Sequence, residues 1–292
     1  MTISSSDSRG TPERTHAQRM ASRDGYFPPE SVIRRIGNTP ITPFLGGGAA
    51  VLMQVAHPLV AAGVVEHSDY RANLWRRLLR TLRALYLITY GTKAEAEQAG
   101  GAVQRGHARV HGVTPEPLGP FPAGTPYSAT DPELMLWVHA TLVHVSLDLY
   151  QRHVRRLSPE DEERYYREMA VVARIFGTPS SVIPRSLREF REYVEAQVES
   201  GPIMVTAPAR SVAEVILAAP LPAPMRVLLP AHRLAIGGTL PVRLREEYGL
   251  RWSPSRRVAL HVAARAVRMT TRPALYAAAH LPLPPRLLTA DR

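Results

Sequence analysis

Cysteine is absent from the 292 residues. Disulfides, thiolate metal sites, iron–sulfur clusters, thiolate-ligated haem and cysteine nucleophiles are therefore excluded. Alternating Val, Ile and Thr runs of strand type are nearly absent too, and most windows repeat their apolar residues at i, i+3, i+4. A P-loop, a dinucleotide glycine fingerprint, His-Glu-x-x-His and Gly-x-Ser-x-Gly are all missing. Two acidic residues at catalytic spacing are not recognisable. The first 23 residues are polar and lack the apolar stretch of a secretion signal, so the expectation is a disordered leader on a cytoplasmic protein.

Charge is absent from one long stretch. Ile36 to Val65 holds no Asp, Glu, Lys or Arg, yet Asn38, Gly46, Gly47, Gly48, Gln54 and His57-Pro58 interrupt it. A bilayer core penalises those polar groups and the broken backbone, which argues against a transmembrane span and for a central helix buried on all sides. Over the whole chain, 45% hydrophobic against 21% charged residues is the balance of a globular domain. The net charge of +11 is uneven: Val205–Arg292 holds 13 Arg against 4 Asp and Glu, 13 − 4 = +9. Such a surface suits an acidic partner, anionic lipid or salt-sensitive, non-specific contact with nucleic acid.

The pattern predicts a single all-α domain over residues 24–280, with a Pro-rich frayed tail at 281–292. Helices are expected from about Gly48 to Val64, Asn73 to Thr89, Lys93 to Val110, Asp131 to Leu157 and Ser158 to Phe176. Five more follow at Leu187–Glu199, Ser211–Ala219, Met225–Ile236, Leu240–Tyr248 and Arg256–Thr270. Thr92 reads as a helix cap, and Asp131-Pro132 and Ser158-Pro159 place proline in the first turn after a capping residue. Gly112–Thr130, with five prolines, reads as a stiff non-helical loop.

Histidine is where chemistry concentrates. His107 and His111 are four apart on one predicted helix, hence on one face, with small residues Gly106 and Ala108 beside His107 that allow a flat ligand close approach. Spacing alone equally describes two half-exposed histidines at a helix end. His144 and Asp148 form an i,i+4 pair, which either orients a working histidine or satisfies itself in the core. His57 and His139 fall in apolar helices. Glu66-His67-Ser68-Asp69-Tyr70 clusters hydrogen-bonding groups at a helix terminus, which capping also explains. Arg77 and Thr81 share a face able to hold a carboxylate or polarise bound oxygen, although an arginine-rich helix is more often solvated surface.

Six segments taken in order carry a resemblance. They are Gln54-Val55-Ala56-His57-Pro58, Gly63-Val64-Val65-Glu66-His67-Ser68, Arg77-Leu78-Leu79-Arg80-Thr81 and His107-Ala108-Arg109-Val110, followed by Tyr127-Ser128-Ala129-Thr130-Asp131-Pro132 and Trp137-Val138-His139-Ala140-Thr141-Leu142. Together they resemble the rubber-oxygenase catalytic domain family, which includes latex clearing protein and the MpaB-type oxygenases. The resemblance runs from about Arg34 to Ala219. It implies an all-α fold with a haem pocket between helices, haem b, and O₂ chemistry on carbon–carbon double bonds. His107 matches the family's proximal haem ligand, and Arg77 and Thr81 match residues close to the haem. Arg80 stands where the latex-clearing branch has a distal lysine, and His111 where that branch has an arginine, so neither role carries over.

The resulting expectation is an intracellular haem b oxygenase using O₂ on a small or medium hydrophobic or terpenoid-like substrate. Iron would bind His107, with His57, His67, Arg77 and Thr81 lining the pocket, His111 near the cofactor, and an acidic redox partner if electrons are needed. The alternatives are a non-haem metal enzyme built on His107 and His111, or a basic helical nucleic-acid binder.

Overall fold

The computed structural model describes residues 18–19, 24–39, 41–68, 70–71, 74–199, 201–218, 226–227 and 229–278, without the side chains of 41–45, 74–75 and 270–278. Asn73, Asp69 and the expected tail at 281–292 lie outside the described residues. Twelve helices and one two-stranded sheet make up the described fold, as the sequence periodicity predicts for an all-α domain.

The helices are α1 (Val32–Gly37), α2 (Ile41–Val55), α3 (Pro58–His67), α4 (Leu74–Tyr90) and α5 (Lys93–His107). After the hairpin β1 (His111–Val113) and β2 (Pro126–Ser128) come α6 (Pro132–His153), α7 (Pro159–Ile175) and α8 (Leu187–Glu199). The chain then closes with α9 (Ala207–Ala218), α10 (Leu229–Thr239), α11 (Val242–Glu247) and α12 (Pro254–Ala278).

Helix α2 is the buried centre, packed against α3, α6, α9 and α10. Ala49, Leu52, Met53 and Val55 are essentially inaccessible. The three glycines that interrupt its sequence are what lets neighbours approach. A Cβ at Gly46 would stand 2.7 Å from Leu149 on α6, and one at Gly48 would stand 2.6 Å from Ile236 on α10. Because α9 and α10 pack on the same helix, the basic C-terminal third shares one core with the rest.

The expected single helix from Gly48 to Val64 is instead two, bent by 108° between Gly46–Val55 and Pro58–His67. Proline lacks an N–H, disfavours helical backbone at the preceding residue, and is well placed at a first turn. His57 accordingly adopts extended backbone and its Nδ1 accepts from Leu59 N–H at 3.2 Å. A buried helix end must find donors for its last carbonyls. Trp137 Nε1–H donates to Met53 O at 3.1 Å, Tyr248 O–H to Leu52 O at 2.7 Å, and Met204 N–H to Ala56 O at 2.8 Å. Among the described residues, no single helix is long and apolar enough to cross a membrane.

Other boundaries differ from expectation: α6 ends at His153 rather than Leu157, α9 starts at Ala207 rather than Ser211, α11 spans Val242–Glu247 rather than Leu240–Tyr248, and α12 spans Pro254–Ala278 rather than Arg256–Thr270. Helix α5 ends at His107 rather than Val110, tightening through Arg109 N–H to Gly106 O and Val110 N–H to His107 O. The presumed loop contains the antiparallel pairing of His111 with Ser128, Gly112 with Tyr127 and Val113 with Pro126. Strands this short lack a readable alternation. Within the expected leader, Arg19 is 3% exposed, pairs with Glu95 on α5 at 2.7 Å, and its carbonyl accepts from Arg34 Nη1 at 3.1 Å. Packing on the body thus begins before Arg23, because Glu95 and the buried Arg34 both need a partner.

Candidate functional site

Four elements meet at one corner of the fold: the C-terminal end of α3, the first turns of α4, the exit of α5 and strand β2. A Cβ at Gly63 would stand 3.3 Å from Val110 and 3.5 Å from the Tyr127 ring, so α3 lies directly against the α5 exit and the hairpin. Gly112 faces Tyr127 across the hairpin, and a Cβ there would stand 2.7 Å from the Tyr127 oxygen. Only glycine leaves that path clear for the phenol.

His107 is the last residue of α5. Its position follows from the helix start: Thr92 accepts from Glu95 N–H while the Glu95 carboxylate accepts from Thr92 N–H, a closed capping box that fixes register over the next turns. Gly100 then presses on Ile175 at the end of α7, at the distance of a bare Cα. His107 Nδ1 is buried and has no hydrogen-bond partner among the described residues. Burial, and then the nearby Arg77 guanidinium, hold its pKa below the ordinary histidine value, so the imidazole is neutral near pH 7.

Arg77 comes from α4, which packs alongside α5. Its Nη1–H donates to Ser68 Oγ at 2.6 Å, its pKa is lowered by burial and by Arg80, and among the described residues no carboxylate pairs with it. A neutral imidazole with a free buried nitrogen therefore sits beside a desolvated, steered cation. Thr81, expected to share this face, is exposed and gives its hydroxyl hydrogen to Arg77 O at 3.1 Å. Gly106 is exposed, and a Cβ there would meet nothing within 4 Å.

Beside Ser68 stands a second polar group. Tyr127 O–H donates to the Glu66 carboxylate, and its oxygen lies 3.2 Å from His67 Nε2. Burial and the bond to Glu66 raise the Tyr127 pKa, so the phenol keeps its proton. His67 thus joins the corner. His57 does not share these contacts: it stacks on Phe121 at 5.7 Å and caps α3, with its pKa pushed down to about 4 by burial against a partial opposing pull from Asp131.

The predicted pairing of His107 with His111 is not realised. His111 opens β1 and is exposed, because the helix ends between them. The i,i+4 relation needs continuous helix. Asp148 likewise binds Arg152, at 2.5 Å, in place of orienting His144. No cluster of three His, Asp or Glu that would hold a metal ion by itself occurs among the described residues. Among the described residues the non-haem alternative thus finds no carboxylate grouped with His107 and His111.

Sequence reasoning undervalued two residues. Tyr127 lies in a quoted segment, but its bond to Glu66 depends on a hairpin register invisible to helical periodicity. His139 on α6 is 5% exposed, with both ring nitrogens buried and unpartnered among the described residues. Burial drives its pKa down to about 4.

The chain is 27% identical over 211 residues to two proteins named as uncharacterized, Mb2261 of Mycobacterium bovis and Rv2237 of Mycobacterium tuberculosis, covering 70% of this chain and 79% of each relative. No solved structure matches it. Residues 33–269 match the family model described as ER-bound oxygenase mpaB/B'/Rubber oxygenase, catalytic domain, a span that contains every helix of the corner and both polar groups. The chain belongs to that oxygenase family.

Proposed function

We propose that the protein is a haem b-dependent oxygenase in which His107 holds the iron and O₂ is used on an apolar, terpenoid-like substrate. The observation that carries this reading is the buried, unpartnered nitrogen of a neutral His107 beside an Arg77 that lacks a carboxylate among the described residues. An iron ligand must be unprotonated, and a haem brings anionic propionates for which a desolvated guanidinium is a strong partner. When bound, haem supplies the iron centre that activates O₂.

The chain's own residues then divide the remaining work. Ser68 accepts from Arg77 Nη1–H and so restrains the guanidinium, whose remaining N–H groups would be available to a haem propionate. Tyr127 O–H donates to the Glu66 carboxylate, and His67 Nε2 lies within hydrogen-bond reach of the same phenol oxygen. Thr81 serves the helix backbone and contributes through the placement of Arg77. His57 acts by shaping the α2–α3 corner.

Visible spectroscopy of the purified or haem-reconstituted protein tests the assignment. One haem per chain with a Soret band is expected. His107→Ala should lose stable haem, while exposed His111→Ala should keep it. A normal Soret band in His107→Ala would refute the axial assignment, and a colourless protein after reconstitution would refute the haem reading itself.

A further inference from the structure

Helix α12 has two apolar faces, and only one is used. Leu260 and Ala264 are buried, and Leu260 packs so closely on α10 that a Cβ at Gly238 would stand 2.2 Å from it. Arg268 is tied to the same side by a hydrogen bond to Gln151 O at the end of α6. Val258, Val262 and Met269 are 62%, 63% and 69% exposed. At roughly 100° per residue, these three fall within about 20° of a line directly opposite Leu260. Exposed Ala259 and Ala266 widen the ridge on one side. A surface helix ordinarily turns polar residues outward. Here the outward direction is the apolar one, over about 16 Å of helix.

Charge specifies what the ridge meets. From Pro254 to Ala278 there is no Asp or Glu. Arg265 is exposed at the edge of the ridge, about 140° round the helix from Leu260, and has no ion-pair partner among the described residues, whereas exposed Arg257 falls about 60° from Leu260, toward the packed side. A second copy of the helix would set arginine against arginine with nothing to neutralise them. A protein partner draws its affinity from aromatic anchors in shaped pockets, and this ridge is valine, methionine and alanine without an aromatic side chain among those described. A bilayer surface needs no pocket. It takes small apolar side chains at the acyl boundary and arginine at the phosphates.

We propose that α12 is a membrane-surface helix that lies flat on anionic lipid, with Val258, Val262 and Met269 entering the headgroup–acyl boundary and Arg265 on a lipid phosphate. The proposal is independent of the haem assignment. Co-sedimentation of the full chain with vesicles of phosphatidylcholine, with and without phosphatidylglycerol, tests it. Binding to the anionic vesicles should exceed that to the neutral ones by about tenfold or more, and should weaken with salt.

Val258→Asp with Val262→Asp should lower anionic-vesicle binding by about tenfold or more, since apolar area is replaced by charge of the wrong sign. Arg265→Gln should lower the preference for anionic over neutral vesicles by about fivefold. All three positions are exposed, so thermal melting should match the parent protein, which separates lost binding from lost folding. Equal partition to both vesicles, or variants that bind like the parent, would overturn the proposal. So would a dimer that Val262→Asp dissociates in a protein that ignores vesicles. Absence of vesicle binding with capture by an acidic protein would equally overturn it and give the ridge to that partner.

Discussion

His57 and His139 should make the protein acid-sensitive well above the carboxylate range. Each is buried, 6% and 5% exposed, and each has its pKa lowered from 6.5 to about 4. A base depressed in the folded state leaves the fold preferring the neutral form. The unfolded chain then takes up the proton first as pH falls below its ordinary value. Stability is therefore intact above about pH 6.5 and declines as pH falls toward 4. Integrating the linkage between roughly pH 7 and pH 5 gives a loss of about 2 kcal/mol for each residue, about 4 for the two. Against a typical total of about 5–15 kcal/mol, that is a large share. Urea unfolding of the haem-free protein at stepped pH, extrapolated to water, measures it. His139→Leu removes one titration, and His57→Asn removes the other while keeping a side-chain acceptor for the α3 cap. Each should reduce the pH-dependent loss by about 2 kcal/mol, on top of the contributions of His107, His144, His153 and His232, whose pKa values burial also lowers. Slopes parallel to the parent in both variants would refute the argument, because they would place the lost protons elsewhere.

Other consequences concern packing and capping. Gly100→Ala should cost roughly 1–3 kcal/mol by urea unfolding, because its Cβ would stand 2.5 Å from the Ile175 carbonyl oxygen, which cannot swing away. Gly106→Ala on the same helix meets nothing within 4 Å and should be neutral or stabilise the haem-free protein by up to about 1 kcal/mol, which isolates the effect of contact from that of helix propensity. Arg19→Ala should destabilise by about 1–3 kcal/mol and raise the Glu95 pKa, readable by NMR titration, since Arg19 is among the groups that hold it down. Asp131→Ala should cost about 1 kcal/mol of thermal stability, because its carboxylate accepts from both Glu133 and Leu134 N–H at the start of α6.

What was legible in the sequence follows the range of the interaction that decides it. Thr92, Asp131-Pro132 and Ser158-Pro159 act within one helical turn, and the helices start at Lys93, Pro132 and Pro159 as the residues require. His57-Pro58 carries the same local signal, yet the uncharged, largely apolar run around it favours one continuous helix. The break becomes affordable only because Trp137, Met204 and Tyr248 bring donors to its carbonyls from far along the chain. The site shows the same division. Spacing pairs His107 with His111, but a tightened helix end and a three-residue strand separate them. The group that the fold assembles instead, Ser68, Arg77 and His107, comes from the boundaries of α3, α4 and α5, where no periodicity connects one residue to the next. Resemblance singled out Arg77 and His107 because it compares ordered segments rather than faces of a helix. Whether a histidine nitrogen ends without a partner, as in His107 and His139, depends on every element packed around it. That property separates a histidine left unsatisfied by the protein's own groups from one satisfied in the core, and it appears only when the chain is folded.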